Sequence, residues 1–172
     1  MRDATAADAG ACAAIYAPYV ADTAITFETV PPSAAEFEQR IARAQATHAW
    51  LVLDDPRTTA VVGYAYGRPF KERAAYRWSC EVSVYLQPDH HRRGGGRALY
   101  EALLARLAGR GYRTAVAGMT WPNESSAALH RALGFESVGT YRHIGWKLGA
   151  WHDVTWYQRE LTAMSGEPAE PV

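Results

Sequence analysis

Apolar residues at Cys12, Ile15, Tyr16 and Tyr19 recur at helical spacing, and they predict a helix over 9–20 with Thr5 and Asp8 as available starts. A Thr-rich, β-prone stretch around Phe27 stops at Pro31-Pro32. Ser33 then caps a second helix, 33–47, with Phe37, Ile41 and Ala44 along one face. Residues 50–53 and 60–66 read as the strands of a hairpin turned by Asp54-Asp55-Pro56. The longest strand is expected over 76–86. Alternation sets Trp78, Cys80, Val82, Val84 and Leu86 on one face, with Ser79, Glu81, Ser83 and Tyr85 on the other. Pro88 breaks that strand, and a charged, glycine-rich turn leads into a helix with Leu99, Leu103 and Leu107 as its buried stripe, ended by Gly109 to Gly111. A strand over 114–119 follows, then a helix capped by Asn123 or Ser125 and stopped at Gly134. Strands over 137–146 and 154–161 close the pattern.

Interspersed helices and strands predict a mixed α/β (α+β) domain, a single unit over 1–162. Residues 163–172, rich in Pro, Gly and Glu, are expected to be disordered. A chain of 172 residues is long enough to bury a core without staples. Eighteen basic and eighteen acidic side chains leave no net charge, which argues against nucleic acid or an anionic membrane surface as partner. No apolar run approaches the roughly 18 residues of a membrane span. The first residues carry no export pattern, so a cytoplasmic protein is expected. Cys12 and Cys80 make neither a disulfide framework nor a zinc spacing, and no metal is expected.

Arg92-Arg93-Gly94-Gly95-Gly96-Arg97, between a strand and a helix, is the first candidate for chemistry. Backbone N–H groups in such a turn, continued by a helix N-terminus, suit a phosphate or pyrophosphate. A solvated loop with helix-capping glycines fits the same residues equally well. It is not a P-loop, for it lacks the Lys, and Leu99 stands where a dinucleotide fingerprint needs a third glycine. Glu81, just ahead of the turn, is a candidate general base; standing alone it would pass for a polar residue on a wet strand face. There is no G-x-S-x-G elbow and no H-E-x-x-H, and His90-His91 is adjacent rather than spaced for one metal. Cys80 falls on the core face, where a buried apolar role outweighs a nucleophilic one.

The long strand, the Arg/Gly turn and its helix, then Trp121-Pro122-Asn123 and Leu129-His130-Arg131-Ala132-Leu133-Gly134-Phe135, resemble the GNAT superfamily of acetyltransferases. Ile25-Thr26-Phe27, Lys71-Glu72-Arg73 with Tyr76, Glu81-Val82-Ser83-Val84-Tyr85 and Gly149-Ala150-Trp151-His152-Asp153-Val154 resemble, within it, the phosphinothricin and methionine sulfoximine N-acetyltransferases. His91 departs from the family's usual Arg or Gln, and Gly95 from its usual aliphatic residue. The resemblance implies a twisted mixed sheet of about six or seven strands flanked by about four helices. It implies acetyl-CoA as co-substrate: strand backbone at Val84, Tyr85 and Leu86 for the pantetheine, Arg92, Arg93, Gly94, Gly95, Gly96 and Arg97 for the pyrophosphate, and Asn123 and Ser126 completing the set. Phe27, Lys71, Glu72, Arg73, Tyr76, Val82 and Ser83 fall where the family holds a small amino-acid-like substrate, with Glu81 activating its amine. A homodimer is also implied.

Acetyl transfer needs a neutral amine. A free α-amine lies between a peptide terminus, pKa about 8, and lysine, about 10.4, so a base helps. The departing thiolate needs a proton, which many superfamily members take from a tyrosine on the fourth helix. Here His130 stands in that place, either as acid or as a ring packed on the sheet. Lys71 and Arg73 can pair with a carboxylate and a second acidic group, or can form a solvated turn. The expected substrate is an amino-acid analogue such as phosphinothricin, methionine sulfoximine or methionine sulfone. Ordinary amino acids or protein N-termini are the alternative within enzymes, and a non-catalytic CoA-binding sensor is the alternative outside them.

Overall fold

Trp50, Leu51 and Val52 show how the molecule is layered. Trp50 and Val52 join a core with Cys12, Ile15, Phe37 and Ile41, while Leu51 joins a second core with Leu99, Leu103 and Leu107. A strand whose alternate residues enter different cores is covered on both faces. The computed structural model describes residues 1–172 and resolves these layers as helices on both sides of one sheet.

The elements are β1 (Arg2–Asp3), α1 (Ala9–Asp22), α2 (Ala34–Thr47), β2 (Trp50–Asp54), β3 (Val61–Pro69), β4 (Ser79–Leu86), α3 (Gly95–Gly109), β5 (Thr114–Trp121), α4 (Glu124–Ala132), β6 (Glu136–Lys147) and β7 (Ala150–Glu160). Ser33 caps α2 by accepting from Glu36 N–H, a contact worth about 1 kcal/mol. Seven strands lie in the order β1-β2-β3-β4-β5-β7-β6. Every pairing is antiparallel except β4–β5, which α3 joins as a parallel crossover. The expected fold class and helix order are those observed. No helix is long and apolar enough to cross a membrane.

The short β1 is not among the expected elements, β5 runs two residues past 119 to Trp121, and four larger differences stand out. β3 runs on through Gly67, Arg68 and Pro69, because their backbones continue the ladder to Val82, Glu81 and Cys80. β4 starts at Ser79 rather than 76, since Ala74–Tyr76 form a 3-10 turn. The stretch around Phe27 is a loop, tied down by side chains instead of strand pairing. β7 begins at Ala150, directly after the Leu148-Gly149 turn, where both residues have positive φ. Residues 163–172 form no helix or strand; Ala169 O accepts from Trp78 Nε1 at 2.9 Å and Glu170 pairs with Arg77 at 2.7 Å.

Candidate active site

β4 and β5 pair over Ser79–Thr114, Cys80–Ala115 and Glu81–Val116 only, and then part. The backbone that this leaves unpaired can be identified from the ladder on the other side. Gly67 N–H bonds to Ala49 O, so Gly67 and its partner Val82 are a non-hydrogen-bonded pair. By alternation Val82, Val84 and Leu86 turn their N–H and C=O groups towards β5; the Glu81–Val116 pairing takes up the Val82 N–H, so the gap holds the Val82 carbonyl and the backbone groups of Val84 and Leu86. Tyr85, of opposite parity, spends its backbone on Tyr64 of β3. The expected pantetheine contacts therefore fit at Val84 and Leu86 and not at the Tyr85 backbone. The Leu86 carbonyl already accepts from Tyr19 Oη at 2.6 Å.

On the α3 side of the sheet the gap opens at the glycine turn. None of the N–H groups from Arg92 to Arg97 has a hydrogen-bond partner, and the first bond of α3 runs from Ala98 N–H to Gly94 O. Arg92 (φ 59°) and Gly94 (φ 82°) are left-handed, which bends the free donors into a concave nest at the helix N-terminus. The two departures from the family turn have local explanations. A Cβ on Gly95 would stand 2.7 Å from Leu53 Cδ2, so Leu53 fills the space of the usual aliphatic residue. His91 Nε2 lies 2.9 Å from Tyr19 Oη and ties the turn to α1. At the head of α4, Asn123 Oδ1 accepts from Ser126 N–H and Ser125 Oγ at 3.1 Å, leaving the Asn123 amide N–H groups free.

On the opposite face, under α1 and α2, lies a cavity of about 1120 Å³. Glu81, Ser83 and Tyr85 enter its wall from β4, as alternation predicts, together with Tyr66 and Arg68 from β3. Glu81 sits at the last β4–β5 pair, where the strands part. Its carboxylate accepts from Arg68 at 2.6 Å, its direct cross-strand neighbour. Phe27 closes another side. Its loop is pinned by Thr120 Oγ1 donating to Ala24 O at 2.5 Å and by the buried Lys147, whose Nζ donates to Thr26 O at 2.7 Å. Burial lowers the Lys147 pKa. Gly145 is required there, because any Cβ would overlap the Phe27 ring. Glu28 is held by two bonds from Arg40, at 2.8 and 2.9 Å, and one from Tyr16 at 3.0 Å. Burial pushes its pKa up, but the Arg40 bonds outweigh this and hold it below the usual carboxylate value.

His130 is only 3% exposed. Its Nδ1 donates to Ser126 O at 2.7 Å, and Nε2 faces Tyr100 Oη at 3.3 Å. Burial lowers its pKa, so the ring is neutral near pH 7. The Tyr100 hydroxyl also lies 3.3 Å from Val82 O, a carbonyl of the gap. His130 thus reaches the gap only through Tyr100, a residue the sequence reading missed. The two lie thirty positions apart on different helices. Burial drives the Cys80 thiol to about 12, which leaves it inert.

Not every expected substrate residue joins this cavity. Phe27 and Ser83 line it, but Lys71, Glu72, Arg73 and Tyr76 stand exposed on the β3–β4 connection outside its wall. Lys71 lies over the Phe70 ring, and Tyr76 meets the same ring edge-on. The Val82 side chain is buried in the α3-side core, so only its backbone faces the gap. The cationic wall consists instead of Arg40, Arg43 and Arg68. A longer reading of β3 would have exposed Arg68 as the partner of Glu81.

The sheet thus parts beside a parallel crossover, with free backbone donors in the gap and a nest at its mouth. Residues 1–156 match the family described as acetyltransferase (GNAT) domain, and the chain belongs to it. Among curated relatives, the phosphinothricin N-acetyltransferase of Streptomyces viridochromogenes is 38% identical over 172 residues, covering 100% of this chain and 92% of the relative. The L-methionine sulfoximine/L-methionine sulfone acetyltransferase of Pseudomonas paraeruginosa is 36% identical over 172 residues, covering 98% of each. A solved structure of a phosphinothricin acetyltransferase from Sinorhizobium meliloti in complex with AcCoA superposes with a TM-score of 0.94 at 39% identity. It covers 98% of this chain and 92% of that one.

Proposed function

We propose that this acetyltransferase moves an acetyl group from acetyl-CoA to the α-amine of a small amino acid or analogue of the phosphinothricin, methionine sulfoximine or methionine sulfone type. The observation that carries this reading is the position of Glu81. Its carboxylate stands in the wall of the cavity at the point where β4 and β5 open to the other face of the sheet. The names of the relatives support the substrate class.

The free N–H groups of Arg92 to Arg97 suit the pyrophosphate, and the unpaired backbone of Val84 suits the amide-bearing pantetheine. Acetyl-CoA supplies an activated acyl group as a thioester. The amine, stripped of a proton by Glu81 directly or through a water, attacks the thioester carbon. The N–C bond forms, the C–S bond breaks, and the thiolate takes a proton. Val84 N–H faces the gap where charge grows on the carbonyl oxygen. The Tyr100 hydroxyl, in contact with His130 and kept protonated by burial, is a donor beside that gap that can hydrogen-bond the thiolate, as is Tyr19 at the Leu86 carbonyl. Ile144, Trp146, Leu148 and Trp151, exposed together on the β6–β7 hairpin, support a homodimer through that edge of the sheet. A cytoplasmic location goes with the co-substrate and with two unpaired, buried cysteines.

Thiol release from acetyl-CoA over a panel of amino acids and their analogues tests the reading. Turnover should concentrate on small α-amino acids carrying a second acidic or polar group. Binding of acetyl-CoA with no amine-dependent release would point to a sensor and overturn it.

A further inference from the structure

Three arginines line the cavity, and their engagement differs. Arg40 is occupied by Glu28 and Glu36, with contacts between 2.5 and 2.9 Å. Arg43 turns its Nε back to Gln39 O in its own helix. Arg68 has a side chain that is 57% exposed and a single carboxylate partner, Glu81. That pair is set by the ladder, since the two residues face each other directly across β3 and β4. An α-amino acid carries its ammonium and its carboxylate on one carbon. A site selective for it therefore needs a fixed anion and a fixed cation side by side. Arg68 and Glu81, 2.6 Å apart at the opening of the gap, are such a pair.

We infer that Arg68 and Glu81 form an exchange site for a zwitterion, in which the substrate carboxylate takes Arg68 as its ammonium takes Glu81, making Arg68 the residue that selects α-amino acids over simple amines. The inference rests on the proposed reading of Glu81 as the group that meets the amine. One ion pair within the protein is replaced by two between protein and substrate. Every charge keeps a partner, so the desolvation cost of closing the site is offset. The planar guanidinium can take both carboxylate oxygens at once, a match that a lone ammonium lacks. A bare amine would have to part the same pair while offering Arg68 nothing in return.

L-Methionine sulfone and its carboxamide, which keeps the amine and removes the charge, provide the test. The unaltered enzyme should prefer the acid in kcat/KM by about ten- to a hundredfold, the factor expected of one charge-assisted contact. Arg68→Gln should bring that ratio close to one, chiefly through the KM of the acid, and Arg68→Lys should restore part of it. Because the side chain is half exposed, neither variant threatens the fold; matching melting curves check this. An unchanged ratio in Arg68→Gln overturns the inference while leaving the proposed activity standing. An equal loss on acid and amide also overturns it, since Arg68 would then act only by positioning Glu81. Failure of the unaltered enzyme to acetylate either compound, or any amino acid of the panel, removes both readings together.

Discussion

Glutamine at position 81 keeps the shape of the carboxylate and its contact with Arg68 but accepts no proton. Glu81→Gln should lower kcat by about 10²–10⁴, with part of the rate returning at high pH as the amine becomes neutral on its own. A variant at full speed at neutral pH would remove Glu81 as the base. His130 separates two roles. His130→Phe removes the ring's bond to the Ser126 carbonyl and one of the two acceptors of Tyr100, a loss of about 1 kcal/mol that a lower melting temperature reports. If the Tyr100 hydroxyl, oriented by His130, hydrogen-bonds the thiolate until the proton released by the amine reaches it, then Tyr100→Phe and His130→Phe should depress kcat by similar factors and leave the KM for acetyl-CoA alone. An unaltered kcat in folded His130→Phe would confine the ring to packing. Alternation made the side of Glu81 legible in the sequence. The hydroxyl behind which His130 sits was not, because the two meet only through the docking of α3 against α4.

Elements carry the next predictions. Valine at Gly96 would bring its methyls against Leu86 and Leu129, whose carbons already lie 3.4 and 3.7 Å from the Cβ position. The first turn of α3 should tilt and the KM for acetyl-CoA rise, with the amine KM nearly constant; equal KM values in both enzymes would dissociate the nest from the cofactor. Gly145→Ala should expel Phe27 from its seat and raise the amine KM instead, and steady-state titration of each substrate distinguishes the two effects. The strands show why pattern reading fell short. β3 ends in Gly67-Arg68-Pro69, three residues with no apolar signal, and is held there only by pairing with β4. The partner of Glu81 was hidden because register belongs to the pair of strands and not to either one. The seating of Phe27 was illegible for a related reason, since it depends on a missing side chain at Gly145, far along the chain.

At the scale of the whole molecule, the buried histidines set an acid limit. His48, 3% exposed and stacked on Tyr112, has its pKa pushed by burial from 6.5 to about 4. The unfolded chain therefore binds a proton in the window between 6.5 and 4 that the folded chain refuses. Stability rises with pH across that window and is lost as pH falls through it. The melting temperature should drop between those values, and His48→Gln should flatten the slope. An identical slope in the variant would assign the acid sensitivity elsewhere, with His130 the next buried imidazole.

The three-pair seam between β4 and β5 has a consequence for how the ligand and the fold depend on each other. Beyond Glu81 the sheet is two leaves with a slot between them, and a pantetheine arm lying in the slot would serve as a borrowed strand. Amide protons on Val84 and Leu86, without backbone partners across the slot, should exchange with deuterium quickly in the free enzyme. They should slow when acetyl-CoA is added, while the amide of Cys80, inside the seam, should change little. The leaves should also come apart at lower temperature without the coenzyme than with it. In that sense the coenzyme is a replaceable part of the scaffold, refitted at every turnover.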